Sequence, residues 1–281
     1  MKSTRFRKRV TRRWAAVSAA MLVSAAASAG LPERADAGTG TQSDPWLYNI
    51  NVWWNPAVGS GTFTGISDTI QPVTVNPTTF WAVNPRFTGT GGFYGGLQTN
   101  TILHGSSGGG TASRGAAFSL FGIPLAYRII DTAHCDNGAD GGAGVSCSIP
   151  YSWLSNTKYR LQMTAVGVTQ PSGGTQYCNG GAGSQCTVWT GYVAPNSNPS
   201  ATTQIGKWST QSPAYGFVGQ TVHFQENFGS PCGPRLGYMT PPSYDYSASS
   251  AVSNFATGSN GGYSCLSQSW WSTSQSSIQE Y

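Results

Sequence analysis

Glu226 is the residue whose surroundings in the sequence most suggest chemistry. It lies in the segment Val222-His223-Phe224-Gln225-Glu226-Asn227-Phe228, where apolar and polar side chains alternate. Because successive side chains of a strand point to opposite faces, a strand here places Glu226 on an apolar face with Val222 and Phe224. A buried charge is costly, so this carboxylate is expected to be paired, hydrogen-bonded, metal-bound or protonated. The sequence leaves open a structural ion pair or an acid in a cleft. The candidate ion-pair partners are Arg86, Arg128 and Arg160.

A second group of oxygen-bearing side chains lies in the loop that follows His134. Asp136, Asn137 and Asp140 could supply the oxygen ligands that calcium prefers. Their spacing is not that of an EF-hand, and Asp and Asn beside Gly are also typical of simple turns. We therefore expect no cofactor, with calcium at Asp136, Asn137 and Asp140 kept as an alternative.

Other catalytic patterns are weak. The segment Gly105-Ser106-Ser107-Gly108-Gly109 satisfies G-x-S-x-G, but no helical pattern follows it, as a nucleophile elbow requires. A glycosidase needs a second carboxylate about 5 to 9 Å from the first. Nothing in the sequence brings another acid close to Glu226. The acids considered are Asp68, Asp131, Asp136, Asp140 and Asp245.

Two pairs of adjacent tryptophans could form a binding surface. In a regular strand, Trp53 and Trp54 cannot both face the core, and the same holds for Trp270 and Trp271. One member of each pair is therefore expected to be exposed or covered by another layer. Exposed indole rings occur where extracellular sandwiches hold sugars and also where subunits meet.

The first 37 residues have the features of an export signal. They hold eight of the fifteen Lys and Arg residues, followed by a small apolar run from Ala15 to Ala29. Cleavage is expected after Ala37, with Ala29 as the alternative site. Arg12-Arg13 leaves both the general secretory and the twin-arginine routes open. The apolar run is shorter than the roughly 20 residues that span a bilayer. We expect a secreted protein without membrane insertion.

Removal of this leader also changes the charge. The full chain has a formal charge of +5, whereas residues 38–281 hold seven basic and eight acidic residues. The basicity that would suggest a nucleic-acid partner is therefore lost with the leader. Charged residues are few and aromatic residues are many, which is typical of a folded domain and not of a disordered chain.

The six cysteines all lie beyond the leader. An even count in an exported chain indicates disulfide bonds, and six cysteines allow 15 pairings. Closure of short Gly-rich loops favours Cys135 with Cys147 and Cys178 with Cys186, which leaves Cys232 with Cys265. A zinc site is less favoured because the usual C-x-x-C spacing is absent.

The periodicity beyond the leader is that of short strands. Residues 46–54 and 159–165 alternate with period two, and turn clusters rich in Gly, Pro and Asn separate the strand candidates. No segment there has the 3.6-residue period and caps of a helix. We predict a single all-β domain over residues 38–281, an antiparallel β-sandwich of jelly-roll type. The further strand candidates are 79–83, 92–99, 116–121, 127–131, 187–193 and 221–228.

Several short motifs resemble those of a family of secreted bacterial proteins of unknown function. The likeness covers about residues 80–230. It implies secretion and a sandwich fold, supplies no established activity, and singles out Gln98 and Glu226. The motifs that carry it are Gly92-Phe93-Tyr94-Gly95-Gly96-Leu97-Gln98, Ala117-Phe118-Ser119-Leu120-Phe121-Gly122, Cys147 through Tyr151-Ser152-Trp153 to Tyr159-Arg160-Leu161, and Phe224-Gln225-Glu226-Asn227.

These observations lead to three functional hypotheses. The first is a non-catalytic protein that binds extracellular polysaccharide or cell-wall glycan through Gln98, Glu226, Trp53, Trp54, Trp270 and Trp271. The second is a polysaccharide hydrolase or lyase that uses Glu226; a second carboxylate, or a Tyr and a His, in the same cleft would favour it. The third is an exported structural or partner-binding protein. The oligomeric state stays open.

Overall fold

A computed structural model of the protein describes most of the chain beyond the leader. For residues 48–56, 252–260, 270–272 and 277–280 it describes the backbone pairing alone. No helix is found among the described residues, and none of their segments forms a helix able to cross a membrane. The described residues are 48–56, 63–87, 92–121, 127–139, 142–211, 216–227, 235–240, 242–245, 252–260, 270–272 and 277–280.

The described strands form two antiparallel sheets that pack against each other, so the prediction of an all-β antiparallel sandwich is confirmed. The jelly-roll connectivity stays a prediction. The first sheet has the order β15-β1-β12-β3-β4-β5-β8-β7. Its strands are β1 Tyr48–Pro56, β3 Thr79–Phe87, β4 Gly92–Ile102, β5 Thr111–Phe121, β7 Cys135–Ala139, β8 Gly142–Pro150, β12 Phe217–Asn227 and β15 Val252–Asn260.

The second sheet has the order β16-β17-β13-β2-β9-β10-β11-β6, with β14 paired to β2 beside this path. Strand β9 lies near its centre, between β2 and β10. The strands are β2 Gly65–Thr74, β6 Tyr127–Ile129, β9 Tyr159–Thr169, β10 Gln185–Pro195, β11 Thr203–Thr210, β13 Arg235–Met239, β14 Ser243–Tyr244, β16 Trp270–Ser272 and β17 Ser277–Glu280.

Aromatic side chains fill the space between the sheets. Trp81, Trp153, Trp189 and Trp208 are each less than 2% exposed. Three of their indole N–H groups have partners: Trp81 donates to Gln225 Oε1 at 2.8 Å, Trp153 to the Gly115 carbonyl at 3.1 Å, and Trp189 to Thr210 Oγ1 at 2.8 Å. Such a partner stabilises a buried indole, since an unpaired buried donor costs about 1–3 kcal/mol.

Two of the predicted disulfides are present. Cys135 bonds to Cys147 and Cys178 to Cys186, closing loops with sequence separations of 12 and 8 residues. Cys135 and Cys147 are also register partners of β7 and β8. The predicted pair of Cys232 and Cys265 lies outside the described residues. By its contacts, Arg34–Tyr281 forms one compact unit.

The predicted strands are present, and most extend beyond the predicted limits. The segment 79–83 becomes the nine-residue strand β3, and 116–121 becomes the eleven-residue strand β5. The 65–74 segment has no clean alternation in sequence, yet it forms β2. That strand is covered along most of its length, because each of the seven residues from Gly65 to Gln71 is buried or half-buried. A strand covered on both faces loses the two-residue period that would reveal it.

Candidate functional site

The site begins on the outer face of the first sheet, where three neighbouring strands align. In the register of β12, β3 and β4, Phe80 pairs with Glu226 on one side and with Gln98 on the other. Residues in register share a face, and neighbouring strands lie about 4.8 Å apart, so Glu226 and Gln98 flank Phe80 with roughly 10 Å between their Cα positions. The fold thus brings together two residues that are 128 positions apart in the chain.

The two faces of β12 are the reverse of what the residue types suggest. His223 and Gln225 are fully buried and face the second sheet. His223 Nε2 lies 2.9 Å from Asp68 Oδ2 of β2, and Gln225 accepts the indole hydrogen bond of Trp81. Glu226 shares a face with Phe224, as the alternation predicts, but this face is the outer one. Glu226 is half-buried on the opposite face, because the polar side chains of β12 find partners inside.

The centre of this outer face is a trough of small residues between aromatic rings. Ala82, Gly96 and Ala117 are register partners on three adjacent strands. A Cβ added to Gly96 would lie 2.1 Å from the Trp81 carbonyl oxygen and 2.7 Å from the Phe80 ring, so only glycine fits there. Small side chains keep the floor low, which allows larger neighbours to form walls.

The walls are formed by an aromatic cluster. The Phe80 ring lies 5.3 Å from Tyr94 and 5.6 Å from Phe224 between centroids, with edge-to-face geometry, and Tyr94 lies 5.7 Å from Phe121. Edge-to-face pairs of this kind contribute about 0.5–1.5 kcal/mol beyond the area that they bury. Phe80 and Phe224 are nearly inaccessible, whereas Tyr94 is half-buried. Tyr94 therefore offers ring surface that is partly open to a ligand.

These elements enclose a groove of about 380 Å³. The volume lies within the 300–1,000 Å³ range of small-molecule sites, and the lining mixes aromatic, amide, carboxylate, imidazole and hydroxyl groups. Its lining residues are Phe80, Tyr94, Gln98, Ile102, His104, Ala117, Ser119, Ser146, Cys147, Ser148 and Glu226.

The β4–β5 loop forms one end of the groove. The His104 N–H donates to Ser148 Oγ at 3.0 Å, and that hydroxyl donates to the Ile102 carbonyl at 2.6 Å. Farther along the loop, the N–H groups of Ser106 and Ser107 bond to the carbonyls of Thr132 and Ala133, each at 2.9 Å. These contacts attach the loop to β8 and to the turn before β7, so His104 is held at a defined place.

Asp136 contacts the side chain of His104. Its Oδ2 lies 3.5 Å from His104 Nδ1, and His104 is the less exposed partner, at 29% against 56%. An imidazole held at one nitrogen in this manner can use the other as a hydrogen-bonding or proton-transfer group.

Two serines of the groove, Ser146 and Ser148, are not arranged for nucleophilic attack. Ser146 Oγ donates to the Gly138 carbonyl at 2.8 Å, and Ser148 Oγ has the two partners given above. Both hydroxyls donate to backbone carbonyls and not to a histidine, as an activated serine would. The G-x-S-x-G segment lies in the β4–β5 loop, and no helix follows it in the described chain.

Three of the other acids considered from the sequence are engaged elsewhere in the described structure. Asp68 binds His223 in the core. Asp131 Oδ2 accepts from Gln204 Nε2 at 2.8 Å and contacts His134 Nδ1 at 3.0 Å. Asp245 Oδ1 accepts from the backbone N–H groups of Thr64 and Gly65, at 2.7 and 2.9 Å. Of the described acids, Glu226 lines the groove and Asp136 reaches it through His104.

The predicted ligand residues have different outcomes. Gln98 and Glu226, which the family resemblance and the strand pattern singled out, line the same groove. In the backbone register, Trp53 pairs with Val222 and Trp54 with Thr221, while Trp270 and Trp271 pair with Gln279 and Ile278. Their side chains lie outside the described part of the structure, so their predicted exposure stays a prediction.

The calcium hypothesis receives no further support. Asp136 and Asn137 are exposed residues of β7, Asp136 contacts His104, and Asp140 lies outside the described residues. Within the described chain, no cluster of three His, Cys, Asp or Glu residues could hold a metal ion. Calcium at Asp136, Asn137 and Asp140 stays an untested alternative.

Sequence reasoning missed Phe80, Tyr94 and His104 as groove residues. Tyr94 and Gln98 occupy alternate positions of β4 and therefore share a face, which was visible in the sequence once Gln98 was chosen. His104 lies in a loop, where no period indicates its direction. Its place depends on contacts with β8 and the 131–134 turn, which are distant in sequence.

The fold and the groove define the class of this protein: an all-β sandwich with a polar groove on the outer face of one sheet. No family model matches the chain, and no curated protein matches it significantly.

Proposed function

We propose that the protein is exported after removal of residues 1–37 and binds an extracellular polysaccharide or cell-wall glycan in the groove between Glu226 and Gln98. The observation that carries this proposal is the row Glu226, Phe80 and Gln98 beside the half-buried ring of Tyr94. Sugars present hydroxyl groups around the ring and C–H groups on its faces. Amide and carboxylate groups bind the hydroxyls, and an aromatic surface packs on the C–H face.

The two disulfides agree with this location. Cys135–Cys147 and Cys178–Cys186 are stable in oxidising surroundings and uncommon in the reducing cytosol. The Cys135–Cys147 bond lies directly below the groove, since Cys147 lines it between Ser146 and Ser148. A covalent tie at this point supports a groove that keeps its shape outside the cell.

The proposal is tested by retention of the mature protein on immobilised plant, fungal and bacterial polysaccharides. The variant Gln98→Ala removes an amide from the groove, and Gln162→Ala is its matched control. Gln162 is also half-buried on a strand, but it belongs to β9 of the second sheet. We expect retention of the wild type and of Gln162→Ala, with weaker retention of Gln98→Ala. Retention on no polysaccharide would contradict the proposal and favour a structural or partner-binding role.

A second candidate function is glycan cleavage, and one observation favours it. Tyr94 and His104 line the same groove as Glu226, so three groups able to transfer protons lie around one cavity. In this alternative Glu226 acts as the acid at the scissile bond and His104 as the opposing base. The same polysaccharides are incubated with wild type and Glu226→Gln. Sugar products that disappear in a folded Glu226→Gln variant would establish cleavage, whereas retention without products would leave binding alone.

A further inference from the structure

The groove crosses the strands of the first sheet. Its lining residues come from five strands that lie side by side, in the order β12-β3-β4-β5-β8, and from the β4–β5 loop. Neighbouring strands are about 4.8 Å apart, so the four steps from β12 to β8 cover roughly 19 Å. Glu226 marks the β12 end of this length, and Ser146 marks the β8 end. The cavity is therefore longer than one sugar ring.

The floor of the groove follows one row of register partners across these strands. Gly96 of β4 pairs with Ala117 of β5, which pairs in turn with Ser148 of β8. Gln98 and Tyr94 lie two residues to either side of Gly96 and line opposite sides of the groove. At about 3.4 Å per residue, their Cα positions are roughly 14 Å apart. Because the two side chains occupy part of this width, the remaining space accommodates one sugar chain and not two side by side.

Polar groups recur along both sides of the groove. On the side of Gln98, the register row leads to Glu226, two strands away. On the side of Tyr94, the row leads to Ser119 of β5 and then to Ser146 of β8. All five residues line the groove. A ligand that follows the groove therefore meets new hydrogen-bonding groups as it passes from strand to strand.

This spacing suits the repeat of a sugar chain. A pyranose unit linked through opposite ring positions is roughly as long as the distance between strands, so successive units face successive strands. A carboxylate has about four acceptor positions and a serine hydroxyl has about two. Glu226 and Ser146 can therefore each accept from a sugar hydroxyl in addition to a bond within the protein.

We infer that the groove binds a segment of about four sugar units from a single glycan chain, laid across β12, β3, β4, β5 and β8, and not one terminal sugar. The inference rests on the proposed glycan-binding function and adds the form of the glycan. Each unit in the groove makes contacts of its own. Affinity should therefore grow with chain length and stop growing once the groove is filled.

The test measures affinity against chain length for the mature protein. The probes are oligosaccharides of a polysaccharide that retains the protein, from the monomer to about eight units, titrated by calorimetry. One neutral hydrogen bond is worth roughly fivefold in affinity, so we expect the tetrasaccharide to bind about 25-fold tighter than the disaccharide. The octasaccharide should bind no more than about fivefold tighter than the tetrasaccharide, because its several equivalent registers give that gain without new contacts.

A variant in the middle of the floor tests whether one chain crosses the groove. Ala117→Leu raises the floor between the two ends, so the advantage of the tetrasaccharide over the disaccharide should fall below about threefold. Ala201→Leu is the matched control, since it makes the same change at an exposed position between β10 and β11. It should leave the advantage unchanged.

Variants at the two ends provide a test that does not depend on Ala117. Glu226→Gln and Ser146→Ala change groups that are roughly 19 Å apart, so their effects on tetrasaccharide affinity should multiply. A disaccharide reaches only one end. At most one of the two variants should therefore weaken disaccharide binding.

The outcomes separate the inference from the proposed function. A monosaccharide or disaccharide that binds as tightly as the tetrasaccharide would overturn the inference while leaving glycan binding in place. An affinity that keeps rising steeply to the octasaccharide would also overturn it, as would weaker disaccharide binding in both folded end variants. Retention on no polysaccharide would overturn the proposed function, and the inference with it.

Discussion

The two faces of β12 treat polar residues in opposite ways. On the inner face His223 and Gln225 are fully buried, and their imidazole and amide groups contact Asp68 and Trp81. On the outer face Phe224 packs in an aromatic cluster, while Glu226 lines an open groove. Burial therefore does not follow polarity along this strand. It follows whether the core supplies a partner for a polar group, as Asp68 and Trp81 do for His223 and Gln225.

The largest effect is expected from breaking the buried pair on the inner face. Asp68→Ala leaves His223 without its carboxylate at a site that is fully inaccessible, and loss of one member of a buried pair costs about 3–5 kcal/mol. We expect the free energy of unfolding in urea to fall by that amount. Glu226→Gln, three residues from His223 but on the outer face, should change it by less than about 0.5 kcal/mol.

A double variant distinguishes pairing from packing at this site. In Asp68→Leu with His223→Leu no uncompensated charge remains, so the loss should be clearly smaller than for Asp68→Ala. Equal losses in the double and the single variant would show that shape, and not the charge contact, stabilises this part of the core.

The two disulfides offer the next comparison, because one lies under the groove and the other lies outside it. Loops of 12 and 8 residues give similar chain-entropy contributions, about 3 kcal/mol each. Replacement of either pair by alanine should therefore lower the unfolding free energy by a similar amount. Only the change at Cys135 and Cys147 should also weaken glycan retention, since Cys147 lines the groove. Equal weakening by both changes would show that general loss of stability is the cause.

The strand pattern alone predicted much of the fold but not the orientation of its strands. The alternation of β12 separates its residues into the correct two sets, since His223 and Gln225 share one face and Phe224 and Glu226 the other. Which set faces the core depends on Asp68 and Trp81, which lie more than 140 positions away along the chain. Long-range partners of this kind leave no period in the sequence, and residue type favours the wrong face.

The candidate site, like the fold, could be predicted only in part from the sequence. Gln98 and Glu226 could be selected from short motifs, but their meeting across β3 follows from a sheet order that joins β12 to β3 and β3 to β4. The loop position of His104 depends on hydrogen bonds to Ser148 and to the 131–134 turn. No local pattern indicates contacts that a loop makes with strands formed later in the chain.

The inner face also predicts a response to alkaline pH. Tyr244 of β14 is almost fully buried, and its hydroxyl bonds to Thr221 on the inner face of β12. Burial raises the pKa of Tyr244 to about 12, and the hydrogen bond with Thr221 opposes part of this rise. An unfolded tyrosine titrates near 10, so above that pH the unfolded chain binds fewer protons than the folded one.

Stability contributed by Tyr244 is consequently present below about pH 10 and is lost as the pH rises towards 12. We expect the urea midpoint of the wild type to fall over this range, by up to about 2 kcal/mol in unfolding free energy. In Tyr244→Phe the fall should be smaller, because the ring no longer titrates. The same decline in both proteins would assign the alkaline loss to other groups.

The smallest expected effect is on the outer face, and it concerns binding more than stability. Gln98→Ala removes one amide that flanks Phe80. Because one neutral hydrogen bond contributes about 0.5–1.5 kcal/mol, retention on a polysaccharide that binds the wild type should weaken by roughly tenfold or less. The unfolding free energy should change by less than about 0.5 kcal/mol, since Gln98 is only half-buried. Gln162→Ala on the second sheet should leave both quantities unchanged. A large stability loss in Gln98→Ala without a change in retention would mean that Gln98 serves the sheet, as Gln225 does on the inner face, and would remove the distinction between the two faces.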